Sequence, residues 1–147
     1  MNIYLACTVR GDRHGLVAAR ALADLLERGG HTVLTPHLLA DDVEAAESVL
    51  SERDVFVRDM QWLSAADLLI AEASGSSYGV GFEVGYVLGG AEHTGQRVLV
   101  VYDAARGADL SRLITGNSHA ACTTYAYADT AGLLQFVQRS LGIGRPT

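Results

Sequence analysis

The sequence predicts an α/β protein with a three-layer, flavodoxin- or Rossmann-like fold built around a five-stranded parallel sheet. Short apolar runs alternate along the chain with longer segments whose apolar residues recur at helical spacing. The runs are continuous rather than alternately apolar and polar, which is typical of strands buried on both faces. Strands that alternate with helices in this way form parallel sheets covered by helices on both sides.

Each element has its own signal in the sequence. Strands are predicted at 3–7, 31–34, 67–71, 98–102 and 123–127, and the run VLVVY at 98–102 is the most continuous. Helices are predicted at 16–26, within 43–66, and at 79–92, 110–114 and 130–141. The first helix ends before Gly29 and Gly30, and the long helical region is predicted to break near Ser51. The last residues, 142–147, are predicted to fray.

Length and charge narrow the function classes. At 147 residues the chain is expected to form one domain over residues 1–147, large enough to bury a core. A formal net charge of −6 without a basic run argues against nucleic-acid binding. No apolar run approaches the roughly 18 residues of a membrane span. Because the chain starts directly as a strand, without a signal-peptide pattern, a cytoplasmic location is expected.

The basic residues exclude two kinds of chemistry. All 11 are arginines, so the sequence excludes both Schiff-base chemistry through a lysine and a P-loop NTPase. The five histidines are scattered without metal-binding spacing, and the two cysteines are too few for a disulfide framework. No metal or redox cofactor is therefore expected.

The most informative segment is residues 67–85, DLLIAEASGSSYGVGFEVG. An apolar run ends in a small, polar loop, and Gly79 and Gly81 then open a predicted helix with Glu83 in its first turn. The unpaired N–H groups and the positive dipole end of such a helix favour an anion, and the same field keeps a first-turn carboxylate ionised. This segment predicts a phosphate cradle beside a reactive carboxylate, although Glu83 could also simply complement the helix dipole.

The sequence allows two interpretations for each of several other charged and polar residues. The loop that starts at Thr8 lacks the GxGxxG pattern of a dinucleotide site, and its Arg10 and Arg13 either clamp an anion or are solvated. Asp59 in the middle of a helix either faces solvent and pairs with Arg58 or forms a carboxylate pair with Glu83, as in retaining glycosidases. Tyr4 in the first strand serves either packing or chemistry.

Three motifs in order resemble a known family. The first motif, D-x-x-W-L, starts at Asp59 within the long predicted helical region. The second, A-D-apolar-A-E, covers the predicted strand at 66–72, and the third, S-x-G-V-G-aromatic-E-apolar-G, covers residues 77–85. Together they resemble the 2′-deoxynucleoside 5′-phosphate N-hydrolases of the nucleoside 2-deoxyribosyltransferase superfamily, including the spacing of 24 positions from Asp59 to Glu83. The resemblance runs from residue 3 to about residue 141 and is weakest after Gly116.

The resemblance implies a catalytic cluster and a nucleotide site. Glu83 would attack C1′ of the deoxyribose and form a glycosyl ester that water hydrolyses, Asp59 would assist departure of the base, and Tyr4 would orient Glu83. Ser77 and Gly79 would hold the 5′-phosphate, and Ser111 would reach it from the neighbouring subunit of a homodimer. The remaining implied substrate-binding residues are Cys7, Thr8, Val9, Arg10, Gly11, Asp12, Arg13, His37, Arg112 and Leu113.

The chain differs from the family pattern at two places, and three alternative functions are compatible with its sequence. The family often has Gly-Ser where this chain has Cys7-Thr8, and Gly-Gly where it has Gly11-Asp12, which affects base preference rather than the cleavage chemistry. The first alternative is a nucleoside 2-deoxyribosyltransferase, in which a base resolves the same ester. The second is a non-catalytic nucleotide sensor, and the third is a glycosidic hydrolase that acts on ribonucleotides.

Overall fold

Five parallel strands form one sheet in the order β2-β1-β3-β4-β5. In the computed structural model, which describes residues 1–144, the strands are β1 (Asn2–Ala6), β2 (Thr32–Val33), β3 (Leu68–Glu72), β4 (Arg97–Asp103) and β5 (Cys122–Tyr127). The predicted parallel sheet is confirmed, and every predicted strand end lies within one residue of the observed one.

Six α-helices within residues 1–144 connect the strands. They are α1 (Leu16–Arg28), α2 (Val43–Glu47), α3 (Glu52–Ala65), α4 (Tyr78–Thr94), α5 (Arg112–Thr115) and α6 (Thr130–Leu141), with 3₁₀ turns at Pro36–Leu39 and Ala104–Asp109. The predicted break near Ser51 is confirmed, because Ser51 and Asp54 form a reciprocal capping box that starts α3. Gly95 ends α4 with a φ of 72°, a left-handed conformation that favours glycine.

Side chains from the two faces of the sheet enter two separate cores. Ile3 and Leu5 of β1 point into a core shared with α1 and α6. Tyr4 and Ala6 of the same strand point into a core shared with α3 and α4. Since successive side chains of a strand face opposite sides, the sheet is covered on both faces and the three-layer prediction is confirmed.

The strand order fixes where loops converge. The chain leaves β1 toward β2 at one edge and then returns to β3 on the other side of β1, so β1 and β3 are neighbours at a switch point. Their carboxyl ends open into a crevice between loops that run in opposite directions. The loops after β1, β2 and β3 lie together at this end of the sheet, joined by hydrogen bonds of Thr8 and Arg13.

The end of the described chain is packed rather than frayed. The Ile143 side chain lies against Gly29 at the end of α1, and its N–H bonds the carbonyl of Gln138 at 3.0 Å. The predicted fraying is therefore wrong for residues 142–144, because an apolar side chain finds a place on the α1–α6 core. The remainder of that prediction, residues 145–147, lies outside the described residues.

None of the helices within residues 1–144 has the length and apolar character needed to cross a lipid bilayer.

The packing of α1 on the sheet makes a testable contribution to stability. Leu22 is fully buried, whereas Val17 on the same helix is 71% exposed. Leu22→Ala is expected to lower the free energy of unfolding by about 2–5 kcal/mol, because it leaves a cavity in the core. Val17→Ala is the control and should change it by less than about 0.5 kcal/mol. Urea denaturation measures both, and equal effects would contradict this assignment of the core.

Candidate active site

A carboxyl group and a phenol meet between the sheet and α4. The Tyr4 hydroxyl donates a 2.7 Å hydrogen bond to Oε1 of Glu83. Tyr4 is fully buried, while Glu83 keeps partial exposure. The prediction that Glu83 lies in the first helical turn is wrong: α4 begins at Tyr78, so Glu83 is its sixth residue and belongs to the second turn. The field of the helix terminus is weaker there.

Burial therefore controls the charge of Glu83. Enclosure of the carboxyl raises the pKa of Glu83 to about 7, although the hydrogen bond from Tyr4 lowers it and the charge of Asp59 raises it further. The expectation that the helix dipole keeps this carboxylate fully ionised is wrong for that reason. Burial and the neighbouring Glu83 also raise the pKa of Tyr4 far above its ordinary value, so Tyr4 stays a hydrogen-bond donor. A carboxyl group with a pKa near neutral pH is suited to catalysis, because it can both lose and accept a proton there.

Asp59 lies on α3 close enough for its charge to act on Glu83. Its Oδ1 accepts a 2.8 Å hydrogen bond from Nε of Arg58, and a quarter of its side chain (25%) is exposed. The Arg58 guanidinium also bonds Glu47 of α2 at 2.8 Å and lies 5.0 Å from the centre of the Trp62 ring. Asp59 therefore pairs with Arg58, as one interpretation of the sequence held, and its charge also acts on Glu83, in keeping with the other.

The loop between β3 and α4 ends at a helix N-terminus with available donors. Ser77 is the N-cap of α4, and its hydroxyl accepts from the Val80 N–H at 3.3 Å. A Cβ added at Gly79 would lie 3.6 Å from the Ser77 hydroxyl, which is ordinary contact. Neighbouring protein atoms therefore do not require glycine at position 79, whereas a ligand that approaches the backbone would benefit from it.

The loop after β1 packs directly against the loop after β3. Thr8 Oγ1 donates a 2.7 Å hydrogen bond to the carbonyl of Gly75. A Cβ at Gly75 would overlap the carbonyl of Asp12, so only glycine lets the two loops meet. The Asp12 carboxylate pairs with Arg106 and accepts from the His14 N–H at 2.9 Å. Its negative charge is thereby compensated inside the protein.

The two arginines of this loop have different surroundings. Arg13 donates to three backbone carbonyls, those of Thr8 (3.2 Å), Ala40 (3.1 Å) and Leu38 (2.7 Å). It ties the loop after β1 to the segment after β2 and thereby builds the wall of the crevice. Arg10 is exposed beside Gly11, whose φ of 99° favours glycine. Arg10 is the better placed of the two arginines to contact an anion.

Cys7, Val9 and His37 are all at least partly buried, but only Cys7 and Val9 belong to an apolar cluster. Cys7 and the partly buried Val9 pack in a small cluster with Leu38, and burial raises the pKa of the Cys7 thiol to about 11, so it is neutral. His37 lies 5.0 Å from Trp62, ring centre to ring centre. Burial and the nearby positive charge of Arg58 lower the pKa of His37, which keeps its ring neutral at neutral pH.

Ser111, Arg112 and Leu113 are exposed at the start of α5, away from the Tyr4–Glu83 pair. A groove with a volume of about 690 Å³ lies between α4 and α5. Ser77 and Ser111 both line this groove, and its remaining surface is mainly apolar. The predicted phosphate-binding residues Ser77 and Ser111 therefore share one groove, which Tyr4, Asp59 and Glu83 do not line.

Sequence reasoning missed three sets of contacts around the site. These are the Glu47–Arg58 ion pair, the Asp12–Arg106 ion pair and the hydrogen bonds of the buried Glu72. Only Glu72 had a local signal, because a charged residue at the end of a buried apolar strand is unusual. Among residues 1–144, no group of three His, Cys, Asp or Glu side chains is arranged to hold a metal ion.

Comparison with known proteins gives consistent results. The sequence profile of the nucleoside 2-deoxyribosyltransferase family matches residues 3–126. A protein of Thermofilum pendens named as a 2′-deoxynucleoside 5′-phosphate N-hydrolase is 40% identical over 129 residues, covering 88% of this chain and 87% of that protein. A 5-hydroxymethyl-dUMP N-hydrolase of Esox lucius is 33% identical over 119 residues, with 79% of each chain covered.

The fold has a counterpart among solved structures. A CMP N-glycosidase of Clostridium botulinum superimposes with a TM-score of 0.67 and covers 95% of this chain and 99% of its own. The two sequences are only 17% identical, so this similarity concerns the fold alone.

The contact between Tyr4 and Glu83 can be tested without any substrate. Tyr4→Phe removes the hydrogen bond that stabilises the ionised carboxylate, so the pKa of Glu83 should rise above its value of about 7. Carbon-13 NMR titration of the glutamate carboxyl groups measures this change. Tyr102→Phe on β4 is the control and should leave the titration of Glu83 as it is in the wild type. An unchanged or lower pKa in Tyr4→Phe would contradict the proposed electrostatics.

Proposed function

The chain belongs to the nucleoside 2-deoxyribosyltransferase family, and from that membership we propose that it is an N-glycosidase acting on 2′-deoxynucleoside 5′-monophosphates. Hydrolysis of the N-glycosidic bond would release the free base and 2-deoxyribose 5-phosphate. Relatives with 33–40% identity over most of the chain are named as N-hydrolases of such nucleotides. The observation that carries the proposal is the buried Tyr4–Glu83 hydrogen bond beside Asp59, at the crevice between β1 and β3.

In the first step, a carboxylate oxygen of Glu83 attacks C1′ of the sugar. A C1′–O bond forms while the bond from C1′ to the base nitrogen breaks, and its electron pair leaves with the base. Asp59 assists this departure and, held by Arg58, keeps a negative charge near the positive charge that develops on the sugar. A 2-deoxyribosyl centre lacks the electron-withdrawing 2′-hydroxyl, so this charge is tolerated more easily.

In the second step, water resolves the glutamyl ester. Its oxygen bonds to C1′, the C1′–O bond to Glu83 breaks, and the electron pair returns to the carboxylate. The proton that the water loses neutralises the base anion released in the first step, so the products are the neutral base and 2-deoxyribose 5-phosphate. The Tyr4 hydroxyl donates to that carboxylate throughout and holds it in one orientation. Two displacements at the same carbon give net retention of configuration.

The 5′-phosphate orients the substrate for this chemistry. The hydroxyl of Ser77 and the N–H groups at the start of α4 are donors suited to it, and the open backbone at Gly79 lets it approach. Arg10 and Arg112, both exposed, supply positive charge to an otherwise acidic protein. Binding energy at the phosphate, remote from C1′, positions the sugar and lowers the barrier by several kcal/mol.

We also propose a homodimer in which Ser111 contacts the phosphate bound to the partner subunit. Exposed aromatic rings on α3 and α4 support it: Phe56 lies 6.4 Å from Phe82, and Phe82 lies 6.2 Å from Tyr86, between ring centres. Leu113 next to Ser111 is 86% exposed. Adjacent exposed apolar side chains of this kind are typical of an interaction surface.

Release of free base from a panel of nucleotides tests the activity. The wild type should release base from dGMP, dAMP, dCMP or dTMP but not from deoxyguanosine, because the phosphate is needed for orientation. Glu83→Ala should lower the rate by at least about a thousandfold, since it removes the proposed nucleophile. The wild-type rate should rise with pH through about 7, because only ionised Glu83 attacks.

Other results of the panel would point to other functions. Release by Glu83→Ala at the wild-type rate would exclude Glu83 as the nucleophile. Release from GMP as well would mean that the 2′ position is not screened. No release unless a second base is added would identify a transferase, and nucleotide binding without release under either condition would identify a sensor.

Mixing two impaired variants tests the shared site. In a mixed dimer of Glu83→Ala and Ser111→Ala, one site keeps Glu83 from one subunit and Ser111 from the other. Random mixing should therefore restore about a quarter of the wild-type sites. A mixture of Glu83→Ala with Asp59→Asn should restore nothing, because both residues belong to the same subunit. Failure of the first mixture, or a monomer in sedimentation analysis, would exclude the role of Ser111.

A further inference from the structure

A second glutamate is more deeply buried than Glu83 and has no part in the proposed chemistry. Glu72 ends β3 with only 1% of its surface exposed. A carboxyl group in such a position destabilises the fold unless hydrogen-bond partners compensate for its burial. A role for Glu72 therefore has to be sought in the groups around it.

Three donors converge on the Glu72 carboxylate. The Tyr127 hydroxyl donates to Oε1 at 2.8 Å, and the Ser74 N–H donates to Oε2 at 3.3 Å. The Ser74 hydroxyl also donates to Oε1, because its own oxygen accepts the Asp103 N–H at 2.8 Å and its proton is left for the carboxylate. The carboxylate acts only as an acceptor and joins the ends of β3, β4 and β5.

The start of α1 is shaped around the same carboxylate. A Cβ on Gly15, the residue before α1, would overlap Oε2 and the carboxyl carbon of Glu72. The first turn of α1 carries no acidic side chain and Gly15 provides no side-chain cap. Burial raises the pKa of Glu72, whereas the hydrogen bonds from Ser74 and Tyr127 and the nearby start of α1 favour its ionised form.

The network around Glu72 extends directly into the loop proposed to hold the phosphate. Ser74 is fully buried, and its carbonyl accepts a 3.2 Å hydrogen bond from Nε of Arg106. The next residue, Gly75, accepts from Thr8, and Ser77 follows two positions later as the cap of α4. Bonds to Ser74 from three sides thus fix the backbone from which the phosphate donors project.

We propose that Glu72, with Ser74 and Tyr127, is a set of positioning residues that fixes the loop at 73–77 for binding of the substrate phosphate. This inference rests on the proposed function for the identity of the bound anion. The carboxylate does not touch substrate, and it acts through the hydroxyl and N–H of Ser74. Loss of one donor should loosen the loop and weaken phosphate binding, while Glu83, Asp59 and Tyr4 on the opposite face of the sheet stay in position.

Tyr127→Phe is the test variant, because it deletes one hydroxyl and keeps the buried ring. Tyr125→Phe is the matched control on the same strand, since the Tyr125 ring stacks on Phe136 at 4.0 Å and takes no part in the Glu72 network. Ser74→Ala is the second variant and removes a donor to Glu72 and an acceptor for the Asp103 N–H. Three quantities are compared: amide hydrogen exchange of residues 73–77, affinity for inorganic phosphate, and kinetics of base release.

The loss of one hydrogen bond predicts changes of about three- to tenfold. Tyr127→Phe should speed amide exchange at 73–77, weaken phosphate binding and raise KM for the deoxynucleoside monophosphate by this factor, with kcat changed less than about twofold. Ser74→Ala should change the same quantities further in the same direction. Tyr125→Phe should match the wild type in all of them.

The inference and the proposed function fail in different ways. Exchange at 73–77 that is unchanged in both Tyr127→Phe and Ser74→Ala overturns the inference, even when the wild type releases base. Faster exchange with unaltered phosphate affinity also overturns it, because the loop would then be held for another purpose. A wild type that releases no base refutes the proposed function alone, and exchange and phosphate affinity then still decide whether Glu72 positions the loop.

Discussion

The hydrogen bond from Tyr4 to Glu83 is the contact on which the rest of the site depends. It joins the central region of the sheet to α4, and its two residues lie 79 positions apart in the chain. Tyr4 is fully buried in a paired strand, so its hydroxyl holds the carboxyl of Glu83 at one position relative to β1. Burial raises the pKa of Glu83 to about 7, whereas the hydrogen bond from Tyr4 lowers it and so favours the ionised carboxylate. The pKa of Glu83 is therefore set by burial and by the hydrogen bond from Tyr4 rather than by the position of Glu83 in its helix.

Glu83 and Glu72 have very different surroundings, although both lie close to the loop at 73–77. Glu83 receives one hydrogen bond and is close to the negative charge of Asp59, so its carboxylate is poorly compensated and available for reaction. Glu72 receives three hydrogen bonds and lies against the start of α1, so its carboxylate is satisfied. They lie on opposite faces of the sheet, on either side of one loop. The sheet in this way separates the proposed nucleophile, Glu83, from the proposed positioning residue, Glu72.

The arginines explain how an acidic protein could accept an anion. Arg13 donates to backbone carbonyls, Arg58 to two carboxylates and Arg106 to Asp12 and a carbonyl. These cations organise the walls of the crevice and leave little free positive charge inside it. Backbone N–H groups and serine hydroxyls at the start of α4 are then the main donors for a phosphate, which matches the mechanism proposed for this family member.

The sequence alone determined the order of the elements, the parallel sheet and the segment that holds Glu83. Periodicity and capping signals are local, so the strand ends could be predicted to within one residue. The resemblance singled out Asp59 and Tyr4, whose roles stay predictions. The tertiary structure alone decided the environment of Glu83, the partners of the arginines and the hydrogen bonds of Glu72. These depend on burial and on contacts between residues far apart in the chain, and no local pattern encodes the distance between two such side chains.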